Sequence, residues 1–160
     1  MKIRLVILFS IFISTFVFQS CEKNRVFEKN ISIEKSSWKN SDRIKLEVDV
    51  QDTSATYNVY INVRHNSVYP YCNLWVLITT TSPDGNSQKQ RVEIQLANED
   101  GAWHGEGMGD IWDLKHLAQQ NAIFNKKGIY SFEFEQIMRE DPLPGIMAMG
   151  IRVEKTTPIN

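Results

Sequence analysis

The strict alternation of apolar and polar residues over 44–51 constrains this chain most, with Ile44, Leu46, Val48 and Val50 interleaved with Lys45, Glu47, Asp49 and Gln51. Successive side chains of a strand point to opposite faces, so a half-buried β-strand is the element that puts all four apolar residues on one surface. Tyr57, Val59, Ile61 and Val63 repeat the pattern against Asn58, Tyr60, Asn62 and Arg64. Residues 74–78 are apolar on both faces, and this reading puts Trp75 in the core, with Cys72 beside it as a small core residue. The β-branched run Thr79-Thr80-Thr81 then leads into Ser82-Pro83-Asp84-Gly85, a turn in which Pro presets φ and Gly takes a positive φ. Residues 88–96 return as the hairpin partner. Further strands are expected at 26–33, 128–138 and 146–154, which makes the chain all-β: a single β-sandwich of about seven antiparallel strands. One segment departs from period two. Ile111, Leu114, Leu117, Ala118 and Phe124 recur at roughly helical spacing, which predicts a short helix near 111–120.

The first 20 residues read as an address. Lys2 and Arg4 precede an apolar run over 5–18, followed by Gln19-Ser20-Cys21. These are the parts of a cleaved signal peptide. Fourteen residues at about 1.5 Å rise span only about 21 Å of helix, short of the ~30 Å hydrocarbon core that an uncleaved anchor must cross. A Cys directly after a small residue at the end of such a run resembles the lipobox of bacterial lipoproteins, and the upstream Phe18 and Gln19 make it similar to the looser lipoboxes of Bacteroidetes. The resemblance implies a diacylglyceryl group on the Cys21 thiol, cleavage before it and acylation of the new amine. Two or three acyl chains hold a protein on a bilayer where one chain anchors only marginally. The expected organisation is a signal peptide over 1–20, an acylated Cys and short tether over 21–25, and the sandwich over 26–156. Lipid on Cys21 leaves Cys72 without an internal disulfide partner.

Composition excludes other classes. The chain is 42% apolar and 23% charged with a formal net charge of −1, ordinary for a globular domain, and it carries no basic block of the kind that nucleic acid demands. Removing residues 1–20 takes Lys2 and Arg4 from the 18 basic residues and none of the 19 acids, so the mature chain is net −3. There is no Gly-x-Ser-x-Gly, His-Glu-x-x-His, Walker or Cys-x-x-Cys motif. The glycine-rich stretch Gly101 to Gly109 has the wrong spacing for a dinucleotide, and its neighbours Glu99, Asp100, Glu106 and Asp110 repel phosphate. No cofactor, metal or small-molecule substrate is expected. Glu133 and Glu135 share one strand face about 7 Å apart, a spacing that a glycosidase could use and that antiparallel alternation produces routinely.

Aromatics carry the better hint. Tyr69, Tyr71, Trp103 and Trp112 cluster around two loop regions with His104 and Asp110. Loops on rigid sandwiches carry function, and Tyr and Trp dominate binding hot spots, so these six are the candidate contacts for a protein partner or a glycan. With the lipobox, four segments stand in a characteristic order: Asn62-Val63-Arg64-His65-Asn66, then Tyr69-Pro70-Tyr71-Cys72-Asn73-Leu74-Trp75, then the loop from Trp103 to Asp110, then the stretch from Gln136 to Ile146. In this order the chain resembles GldH, the gliding motility lipoprotein family of Bacteroidetes. The resemblance implies an outer-membrane-associated, non-enzymatic lipoprotein linked to gliding and to type IX secretion, with partners in that machinery. Surface-exported lipoproteins of these bacteria carry an acidic cluster after the Cys, and Glu22-Lys23-Asn24 is a weak version of it, which favours the periplasmic leaflet. The alternative is a lipid-anchored glycan-binding module of the envelope.

Overall fold

A computed structural model describes residues 24–156, and Cys21, the lipidation site expected from the sequence, lies outside them. Eight long strands are present: β1 (Arg25–Ser32), β3 (Ile44–Val50), β4 (Tyr57–Asn66), β5 (Asn73–Thr81), β6 (Ser87–Gln95), β8 (Ile111–Ala122), β9 (Gly128–Gln136) and β11 (Ile146–Lys155). Three short ones complete the set: β2 (Ser37–Trp38), β7 (Glu106–Met108) and β10 (Leu143–Pro144). One sheet has the order β1-β11-β4-β8-β7, a second has β3-β9-β5-β6, and β10 pairs with β2. Every pairing is antiparallel. The two large sheets share one core, in which Val59, Ile61, Val63, Met149 and Ile151 of the first meet Leu46, Val48, Val76, Phe132 and Phe134 of the second. The sandwich expected from alternation is the observed fold.

The long strands alternate in direction along the chain, so the molecule has two distinct ends. At one end Arg25 pairs with Glu154, Tyr57 with Lys155 and Ala122, and Val50 with Gly128. Both described termini and the Ser82 to Asn86 hairpin turn lie there. At the other end lie the connections from β1 to β3, β4 to β5, β6 to β8 and β9 to β11. The first will be called the tether end and the second the loop end.

Three expectations are corrected. Residues 111–120 are no helix but the body of β8, whose partly buried Trp112, Leu114, His116 and Ala118 alternate with exposed Asp113, Lys115, Leu117 and Gln119. The helical stripe had mixed both faces: Leu117 is exposed, and a long register with β4 settles the contest in favour of a strand. This strand raises the seven expected to eight. Trp75 is 36% exposed, because the inward phase of β5 belongs to Leu74, Val76 and Ile78. Cys72 is exposed, since it precedes β5 and its carbonyl, not its thiol, is what the fold uses: it accepts from the Leu96 and Ala97 N–H groups at 2.7 and 2.9 Å.

Candidate interaction surface

Backbone bonds knit the loop end together. The Ser67 N–H donates to the Asp110 carbonyl (3.1 Å), His104 to Leu96 (2.7 Å), Asn66 to Gly145 (3.0 Å) and Gly145 to Ser36 (2.8 Å). Gly145 stands at φ 83° so close to the backbone of Tyr69 that an added Cβ would sit 2.4 Å from its nitrogen. Gly105, at φ 91°, approaches the Asp113 carbonyl in the same way. Only glycine lets these segments close on one another.

The structure brings most of the aromatic candidates into one cluster around a residue that the sequence reading passed over. His65 is fully buried and stacks on Trp112 at a ring separation of 5.8 Å and 16°, while Trp103 packs against it at 4.6 Å and Tyr69 at 6.0 Å. Its Nε2 has no hydrogen-bond partner among the described residues, and its Nδ1 lies 3.5 Å from the Asn66 carbonyl oxygen. Burial pushes the His65 pKa below the ordinary imidazole value, with the Asn66 carbonyl and the Asp113 charge opposing, so the ring is held neutral.

The six candidates therefore divide. Tyr69 is only 2% exposed, and its hydroxyl donates to the Asn73 carbonyl at 2.7 Å, which makes it a pillar of the loop end rather than a contact surface. Trp103 and Trp112 are partly buried caps on His65, with ring planes crossing at 40°. His104 closes the hairpin between Ala97 and Trp103, its ring nitrogens facing Asn98 Oδ1 (2.6 Å) and the Gln95 carbonyl oxygen (3.3 Å). Asp110 is exposed and holds Ser67 through its carbonyl. Tyr71 is exposed, and its hydroxyl donates to Glu140 at 3.0 Å.

Beside Tyr71 opens a cleft of about 340 Å³ that the sequence reading missed, lined by Tyr71, Trp75, Arg91, Ile137, Met138 and Arg139. Gln136, the last residue of β9 and fully buried, builds its wall: its amide donates to the Glu140 carbonyl (3.2 Å) and its Oε1 accepts from the Met138 N–H (2.8 Å). The Ile137 N–H donates to the Trp75 carbonyl at 3.0 Å, which fixes the wall against β5. Both His65 and Gln136 carry a legible signal, for each is the polar residue that ends an inward-facing series: Tyr57, Val59, Ile61, Val63, His65 and Tyr130, Phe132, Phe134, Gln136.

Glu133 and Glu135 lie on the open outer face of the second sheet, both bridged to Arg43 at 3.2 Å. That is not the cleft in which two carboxylates would work on a substrate. Among the described residues no three His, Cys, Asp or Glu side chains are grouped to hold a metal ion.

Comparison with known proteins then decides the family. A profile described as GldH lipoprotein matches residues 25–153. The chain belongs to the GldH lipoprotein family. It is 32% identical over 158 residues to the gliding motility lipoprotein GldH homolog of Christiangramia forsetii, covering 92% of this chain and 96% of that one. It is also 32% identical over 143 residues to the gliding motility lipoprotein GldH of Flavobacterium johnsoniae, covering 85% and 88%. Membership makes the chain one of a gliding motility lipoprotein family. The VP2 subviral particle of infectious bursal disease virus overlaps with a TM-score of 0.35 at 11% identity over 84% of this chain and 31% of that one, too remote to bear on function.

Proposed function

We propose that this protein is an outer-membrane lipoprotein, anchored through acyl chains on Cys21, that acts without catalysis as a component of the gliding machinery and its linked type IX secretion apparatus. The observation that carries the reading is the polarity of the fold. The chain enters β1 at the tether end, four residues after Cys21, and four residues reach at most about 14 Å. The aromatic cluster and the loops around it lie at the opposite end. Strands rise about 3.3 Å per residue, so the eight residues of β1 alone separate the two ends by roughly 25 Å. A domain held to a bilayer at one end and presenting braced, aromatic-lined loops at the other is suited to gripping a protein that stands above the membrane. The periplasmic leaflet is the side favoured by the sparse acids after Cys21. A glycan platform calls for flat, exposed ring pairs, and the tilted caps on His65 supply none, which favours the protein partner.

The test is cross-linking from detergent-solubilised membranes of a Bacteroidetes host expressing the chain with its own signal, beside Cys21→Ala. Mass spectrometry of the bait should find acylated Cys21 together with motility or secretion components that disappear in the variant. Unacylated bait, or a glycan as the sole companion, would overturn the reading.

A further inference from the structure

Six arginines fall within the described residues, and four are tied to acids: Arg25 to Glu28, Arg43 to Glu133 and Glu135, Arg64 to Asp113, and Arg152 to Glu28 and Glu154. Arg91 and Arg139 have no ionic partner among those residues, and both line the cleft beside Tyr71. The nearby acids are already engaged: Glu140 accepts from the Tyr71 hydroxyl at 3.0 Å and Glu93 from the Asn73 amide at 2.6 Å. Between the two free guanidinium groups lies an apolar floor of Trp75, Ile137 and Met138, with the Met138 sulfur 3.3 Å from the Trp75 nitrogen. In a domain of net negative charge, this is a place where two arginines stand without an ion pair beside exposed apolar surface.

We propose that this cleft binds an extended acidic segment of a protein partner, a carboxylate engaging Arg91 and Arg139 while an adjacent aromatic or aliphatic side chain covers Trp75 and Met138. The proposal deepens the reading of the protein as a partner-binding lipoprotein and rests on it. Three observations select this occupant. The guanidinium fork matches carboxylate geometry and donates two parallel hydrogen bonds to it. Arg91 sits on β6, the outermost strand of its sheet, so one side of a nine-residue ladder is open beside the floor, and an added strand can pair there while its alternate side chains reach the cleft. Lys89 and Arg91 give that edge a positive charge, which rejects a second copy of itself and attracts an acidic strand. A lipid headgroup is the wrong occupant, because the cleft is at the loop end, away from the anchor.

The purified, acylated full-length mature chain in detergent micelles is the bait for a phage-displayed library of random dodecapeptides. Selected peptides should be enriched in Asp and Glu next to Phe, Tyr, Leu or Ile. The best of them, as a free synthetic peptide, should shift the Trp75 indole resonance. Replacing either arginine (Arg91→Gln or Arg139→Gln) should weaken it by about tenfold, the size of one charge-assisted contact. Both substitutions are on exposed side chains and leave the core intact, and Lys127→Gln, at the tether end, should leave binding unchanged. An empty selection, peptides without acids, affinity indifferent to both arginines, or equal perturbation by vesicles containing phosphatidylglycerol would overturn the proposal. Because the assay needs no motility and no native partner, its failure is separate from loss of the anchored partner-binding reading.

Discussion

Gly145→Ala isolates the close approach that builds the loop end. Any L-residue at φ 83° carries the left-handed penalty of about 1–2 kcal/mol. At Gly145 the new Cβ would also stand 2.4, 2.6 and 2.8 Å from the N, Cα and Cβ of Tyr69, atoms that cannot swing aside because Tyr69 is buried and its hydroxyl is fixed to Asn73. Overpacking of this kind typically adds about 1–3 kcal/mol. Gly85 provides the control, since it has φ 86° in the β5–β6 turn with nothing within 4 Å of an added Cβ. The expected result is that Gly85→Ala loses only the dihedral penalty, while Gly145→Ala loses about 1–3 kcal/mol more, roughly 3 °C or more of additional Tm for a domain of this size. Urea unfolding of both variants, read by tryptophan fluorescence, measures the difference. Equal losses would refute the claim that contact with Tyr69, rather than the turn alone, demands glycine there.

Burial lowers the pKa of both His65 and His116, so the unfolded chain takes up more protons than the folded one. Their contribution is therefore complete above about pH 6.5 and is lost progressively as pH falls below that unfolded-state value through the lower folded-state one, and urea midpoints at pH 7.5 and 5.5 should show a loss on acidification that His65→Phe reduces. Gln136→Ala should cost about 1–3 kcal/mol, since it strips the Met138 N–H of its acceptor, and should shift Trp75 emission where a mere surface change would not. Cys72 should react with iodoacetamide in the native protein at a rate near that of the urea-unfolded chain, and strong protection would contradict its exposed position ahead of β5. Trp38→Ala should be the most damaging of these changes, about 3–5 kcal/mol by urea unfolding, because its ring is wholly buried and its Nε1 donates to the Asp42 carbonyl at 2.9 Å.

Alternation made β3, β4, β6 and β9 legible, because each has one polar face and one apolar face, whereas β5 and β11 showed as apolar runs next to turn residues. β8 was hidden for a physical reason. Its inward positions are Trp112, Leu114, His116 and Ala118, only moderately apolar, while Leu117 faces out, so the apolar residues alone trace a helical spacing. The short β2 and β10 owe their pairing to the long-range docking of Trp38 and Leu143 and have no local signature. At the candidate surface, the aromatics were rightly read as gathered, but loop position was mistaken for exposure in Tyr69. Run composition likewise hid Trp75, whose phase within β5, not its apolar neighbours, turns it outward to form the floor of the cleft. The cleft itself joins β5 and the residues just before it, β6 and the segment after β9, with lining residues as far apart in sequence as Tyr71 and Arg139, and no motif could announce it.

Colony spreading tests the central claim most directly, in a gliding bacterium whose own GldH-family gene has been replaced by this one. The account predicts that the wild-type chain restores spreading and that Cys21→Ala, produced to the same level and folded, does not. Full spreading with Cys21→Ala would contradict an anchored role for this protein.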